Sequence, residues 1–199
     1  MSDDGRKHAD GRVAPGPLLR FAMLAERANV VIGRMVSWLT LFMVVTTCVI
    51  VLFRYAFSTG WIWVQEAVTW AHGAVFMLAA AYTLSRDEHV RVDIFYRGAS
   101  RRRKAVVDLA GTVLLLLPVC IFLLWASIDY AAASWSVHEV SRETGGLPGL
   151  YLLKTVIPVT ALMLIVQGIV LALRSLAVLL GVQPVPEPAA DDIHEPEQL

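Results

Sequence analysis

Residues 109–128, LAGTVLLLLPVCIFLLWASI, run between Asp108 and Asp129 without a formal charge. Twenty residues at about 1.5 Å each make a helix of roughly 30 Å, the thickness of a bilayer's hydrocarbon core. A soluble helix would show a polar stripe at helical period, and Leu114-Leu115-Leu116-Leu117 shows none. The stretch is therefore predicted to cross a membrane, and it has three counterparts. Nineteen uncharged residues separate Arg34 from Arg54, Glu66 from Arg86, and Lys154 from Arg174. The last contains Leu162-Met163-Leu164-Ile165-Val166, again without a stripe. Composition agrees: only 17% of the 199 residues are charged and mean hydropathy is +0.61, against about a quarter charged in a soluble domain. The expected fold is an all-α integral membrane protein with transmembrane helices at about 30–54, 61–85, 105–130 and 153–180.

The basic residues orient these spans. Of 17 Lys and Arg, six lie at or before Arg34 and seven lie in the link between spans two and three: Arg86, Arg91, Arg97, Arg101, Arg102, Arg103 and Lys104. The other links hold only Arg54, Arg142 and Lys154, and the C-terminal side Arg174. The positive-inside rule then places the N-terminus and the second link in the cytoplasm, and four spans return the C-terminus there too. Aromatic residues agree, since Trp61, Trp63, Tyr130, Trp135 and Tyr151 border the outer links, where amphipathic rings favour the headgroup layer. The first span begins too late and runs too long for a cleaved signal, so it reads as a retained signal anchor. A net charge of zero offers no footprint for nucleic acid, and the Arg101–Lys104 run beside a span suits anionic lipid.

Outside the spans, residues 1–17 and 183–199 are polar or proline-rich and are expected to be disordered. Residues 18–29 fit either an amphipathic helix on the inner surface or a continuation of span one. Asp129 to Trp135 favours helix, which would carry span three beyond the bilayer. Thr144-Gly145-Gly146-Leu147-Pro148-Gly149 reads as a turn, and Pro118 and Pro158 are expected to kink spans three and four.

Chemistry-bearing residues are few. Arg54 ends span one and Glu66 opens span two, so the two can form an ion pair across the hairpin. Alternatively, Arg54 reaches lipid phosphate and Glu66 complements a helix N-terminus. His72 alone lies well inside a span, and its simplest role is as a neutral, packed or hydrogen-bonded residue. A bis-histidine haem would need a partner at similar depth, and His89 and His138 fall in links on opposite sides. Gln167, beside Gly168, is placed to hold helices together. Lys154 opens span four, where the helix dipole disfavours a cation, so it calls for Glu139, Glu143 or a lipid phosphate. Asp108 at the start of span three is favoured by the same dipole. Cys48 and Cys120 suggest small packing residues rather than a disulfide or metal site. No buried mid-span acid, phosphate loop, zinc motif or inverted repeat is present.

In residues 51–93, Arg54 closes span one, Trp63-Val64-Gln65-Glu66 opens span two, and His89-Val90-Arg91-Val92-Asp93 follows it. This order resembles the small membrane subunit of tripartite ATP-independent periplasmic (TRAP) transporters. Gly145-Gly146-Leu147-Pro148, the stretch from Leu153 and Lys154 to Pro158, and Gln167-Gly168 resemble the longer, mannitol/chloroaromatic-type subgroup. Two positions depart from the pattern: Gln65 replaces the first of paired acids, and Ala79 stands where glycine is common. The resemblance implies a cofactor-free scaffold subunit, not an enzyme, in the cell inner membrane. Its implied partners are a large membrane subunit that carries the substrate and sodium sites, a periplasmic substrate-binding protein and lipid. The implied cargo is an organic acid such as a dicarboxylate, a 2-oxo acid or a sugar acid. Arg54, Trp63, Glu66, His89, Arg91, Asp93, Lys154 and Gln167 are the expected structural or partner-interface residues. Two rival readings stay open, a homo-oligomeric small carrier or channel and a membrane anchor of a redox enzyme.

The charge asymmetry makes the orientation testable. Reporter fusions at residue 100 and near the C-terminus should read cytoplasmic, and one near residue 145 periplasmic. A periplasmic signal at residue 100 would overturn this topology.

Overall fold

The computed structural model describes residues 17–85 and 100–181. Four helices, each long and apolar enough to cross a membrane, account for almost all of them, with no strand among the described residues. They are α1 (Pro17–Phe57), α2 (Ile62–Ser85), α3 (Arg101–Ser136) and α4 (Leu150–Leu179). The two tails and residues 86–99, with His89, Arg91 and Asp93, lie outside the described residues.

Pro17 sits at the first position of α1, where its fixed φ suits a helix and its missing N–H costs nothing. The helix then runs unbroken for 41 residues, about 60 Å. Residues 18–29 therefore continue span one instead of forming a separate interfacial helix. α3 likewise extends past Asp129 to Ser136. Because it starts at Arg101, Asp108 lies two turns inside it and not at its N-terminus.

The two interior prolines have different consequences. Pro118 lacks an N–H and its ring crowds the carbonyl four residues back, Leu114. Residues Thr112–Leu116 there form a π-helical turn, and the Leu117 amide bonds to Thr112 O across the wider register. Around Pro158, α4 stays helical throughout.

α4 is the centre of the arrangement. A third of its most apolar window (33%) is buried, against 6% in each of α1 and α2 and 11% in α3. α1 packs on α2, α2 on α4 and α4 on α3, while α3 makes no comparable contact with α1 or α2. The result is an open row and not a closed bundle, and its broad outer faces are apolar. Small residues permit the close approaches, as expected where lipid supplies no hydrophobic drive between helices. A Cβ at Gly33 would overlap the Tyr82 ring, bringing α1 against α2. One at Gly168 would lie 3.0 Å from Leu117 Cδ2 and 3.1 Å from Leu116 Cδ2, so α4 meets α3 at the π-turn. Cys120 is buried, whereas Cys48 faces outward; both are free thiols.

A buried polar bond joins two helices within this apolar packing. Asn29 Nδ2 of α1 donates to Gln167 Oε1 of α4 at 2.9 Å, and both residues are buried. Neither amide has water to turn to, so each depends on the other. Replacing either by Leu strands its partner and should lower the stability of the purified protein by about 1–2 kcal/mol. Replacing both should recover part of the loss. Strictly additive losses in melts of the four proteins would show that the bond contributes nothing.

Candidate functional site

Polar side chains gather where α2, α3 and α4 meet the α3–α4 link, residues 137–149. Two glycines shape that link. Gly145 (φ 79°) and Gly149 (φ 97°) take the left-handed conformation that glycine adopts without steric cost, the second as N-cap of α4. His138 also has positive φ, at 47°.

Glu66, in the first turns of α2, points into this link. One carboxylate oxygen accepts from Ser141 Oγ, and the other accepts from the Leu147 amide at 2.6 Å. A Cβ at Gly146 would come within 2.6 Å of Glu66 Oε2, so only glycine admits the carboxylate so close to the backbone. The Ser141 amide in turn donates to Leu147 O at 3.1 Å, closing the loop on itself. Of the two readings of the hairpin, the ion pair is not formed: Arg54 is exposed at the end of α1 and Glu66 turns to the link instead. The α1–α2 turn is closed instead by rings, Phe53 packing on Trp61 at 5.2 Å, and by the Thr59 amide donating to Phe53 O at 3.3 Å. One hydroxyl and one backbone amide of a link about 80 residues away hold Glu66 in place of the nearby cation, because they sit on the face of α2 that Glu66 occupies.

A second group ties α3 to α4. Lys154 Nζ donates to Glu139 Oε2, which also accepts from Ser134 Oγ at 2.7 Å. Lys154 lies 4.2 Å from the Tyr130 ring centroid, a cation–π contact. Trp135 Nε1 donates to Thr155 Oγ1 at 2.8 Å, and its ring packs on Tyr151 at 4.4 Å, with His138 on the far edge of Tyr151. The bonds from Lys154 and then from Ser134 hold the Glu139 carboxyl below its ordinary value of 4.5. Its contribution is complete above that value and is lost as pH falls from there through the lowered one.

Among the expected site residues, Glu66 and Lys154 thus each bind the α3–α4 link from a different helix, in two separate groups, and Gln167 pairs with Asn29 deeper in α4. Trp63 is 51% exposed at the start of α2. His72, expected to be packed or hydrogen-bonded, is exposed on α2 instead. Ser141, the Leu147 amide, Tyr130 and Ser134 were not legible as partners. Only the Gly145–Pro148 phrase hinted that something approaches the link closely. Among the described residues no group of three or more His, Cys, Asp or Glu could hold a metal. Glu139 is matched by Lys154 and the Glu66 carboxylate is held by a hydroxyl and a backbone amide, so the chemistry here is that of a brace.

The brace is open to test by hydrogen exchange. Glu66→Ala should speed exchange of the Leu147 amide about tenfold, as expected for loss of a charge-assisted bond, and Gly146→Ala should act in the same direction. Arg54→Ala should leave that amide unchanged. An effect of Arg54→Ala equal to that of Glu66→Ala would restore the ion-pair account.

Residues 43–178 match the family model described as "Tripartite ATP-independent periplasmic transporters, DctQ component". No curated protein and no solved structure matches the chain. The matched segment begins within α1, takes in α2, α3 and the braced link, and stops one residue short of the end of α4. It covers well over half of the sequence, and its four apolar helices are those of a multi-pass inner-membrane protein. This chain belongs to the DctQ family, the small membrane component of TRAP transporters.

Proposed function

We propose that this chain is the scaffold subunit of a sodium-coupled importer of organic acids, supporting a large transport subunit and the docking of a periplasmic substrate-binding protein. Family membership makes it a transporter component. The observation that carries the finer reading is where its polar groups are used. Gln167, the one amide deep in α4, is consumed by Asn29, and no cation stands between Lys154 and Arg174. A carboxylate at mid-membrane would require fixed donors or a cation, and an intrachain bond has already taken the amide best placed to serve. With the N-terminus inside, the braced α3–α4 link faces the periplasm. There Val137, Val140, Arg142 and Glu143 are exposed on a loop held still by Glu66 and Lys154, which suits a surface that a soluble protein must find repeatedly.

Reconstituted with its large subunit and binding protein under an inward sodium gradient, the complex should accumulate the acid, and omission of this chain should abolish uptake. Sodium-dependent uptake by this chain alone in liposomes would sink the scaffold reading in favour of a homo-oligomeric carrier.

A further inference from the structure

His72 is ten residues into α2, about 15 Å along its axis and within the apolar layer that the helix crosses. Neutral imidazole carries one donor and one acceptor, and lipid tails satisfy neither. Ionisable residues in spans therefore face protein or a water-filled cavity, and the short imidazole side chain has no long stem with which to reach the headgroups. Yet His72 is exposed on the surface of this chain and makes no hydrogen bond among the described residues.

None of the described residues covers it. Gly73, the next residue, turns toward α4, where a Cβ would lie 3.7 Å from Leu153 Cδ1, and Tyr82 is seated on Gly33 of α1. Those two contacts fix the rotation of α2. α3, which could have closed over the remaining face, packs on α4 instead. Thr69 and Phe76 stand three residues before and four after His72, on the same face, and both are exposed, Phe76 by 76%. Thr69 is satisfied within α2, its hydroxyl donating to Gln65 O at 3.2 Å. Gln167, comparably polar, has a partner inside the chain, whereas His72 has none among the described residues.

We propose that the Thr69–His72–Phe76 face of α2 is the contact surface for a transmembrane helix of the large membrane subunit, and that a polar side chain of that helix hydrogen-bonds His72. The proposal rests on the reading of this chain as one subunit of a larger transporter. Phe76 supplies the apolar contact, and the imidazole fixes the register, as single polar groups do between helices in lipid.

In the assembled complex, a photo-crosslinking amino acid at Thr69 or Phe76 should form adducts with the large subunit. His72→Phe should lower recovery of the large subunit about threefold, the scale of one interhelical hydrogen bond in a membrane, and His72→Gln, which keeps a donor and an acceptor, should restore it. An intact complex whose adducts join only two copies of this chain, or only lipid, would overturn the assignment of this face. Equal recovery with Phe and wild type would remove the hydrogen bond. If the large subunit does not co-purify with the wild-type chain at all, the functional reading itself fails, and the face with it.

Discussion

Inside a bilayer no water is available to complete a polar group, so every donor and acceptor must find its partner within protein. The structure follows from how this chain meets that demand. Backbone groups are satisfied by four long helices. Several of the polar side chains that remain bond to one another or to the backbone across elements that packing alone would leave free to slide. Asn29 and Gln167 join α1 to α4, and Glu139 and Lys154 join the end of α3 to the start of α4. Glu66 joins α2 to the link between them.

These bonds supply what apolar packing does not, namely register. Leucine-rich faces fit one another in many rotations when the surroundings are equally apolar. Glycine contacts narrow the choice by admitting one close approach, Gly33 to Tyr82 or Gly168 to the π-turn of α3. The polar pairs then select one position. Pro118 contributes in the same place, because the π-turn it accompanies is the part of α3 that faces Gly168. A helix irregularity and a helix contact are thus one feature seen from two chains of cause.

The open row has a functional consequence. A closed four-helix bundle would bury its polar residues and present only lipid-compatible surface. Here α4 is the one helix with neighbours on several sides, and α1, α2 and α3 each keep a broad face uncovered. Such a shape suits a part built to lie against a larger membrane body. The braced link at one end adds a rigid, partly charged surface beyond the apolar layer.

What the sequence determined by itself was everything that depends on length and hydrophobicity. Runs of about twenty uncharged residues leave no alternative to membrane helices, and the glycines at 145 and 149 announced a tight link. Lys154, a cation at a helix N-terminus, called for Glu139, Glu143 or a lipid phosphate, and the first of these is its partner. The family was legible from the order of Arg54, Trp63 and Glu66 and the later Gly-Gly-Leu-Pro phrase. Only the tertiary structure decided which way each helix turns, because all four spans are apolar on every side and carry no periodic signal of an inner face. That is why Glu66 could be matched to Arg54 by nearness in sequence when its donors lie beyond residue 140 on another link. It is also why Gln167 could be assigned to helix joining without its partner Asn29, and why His72 could be expected inside when it stands outside. Rotation about a helix axis is set by contacts between residues far apart in the chain, and a uniformly apolar helix does not record it locally.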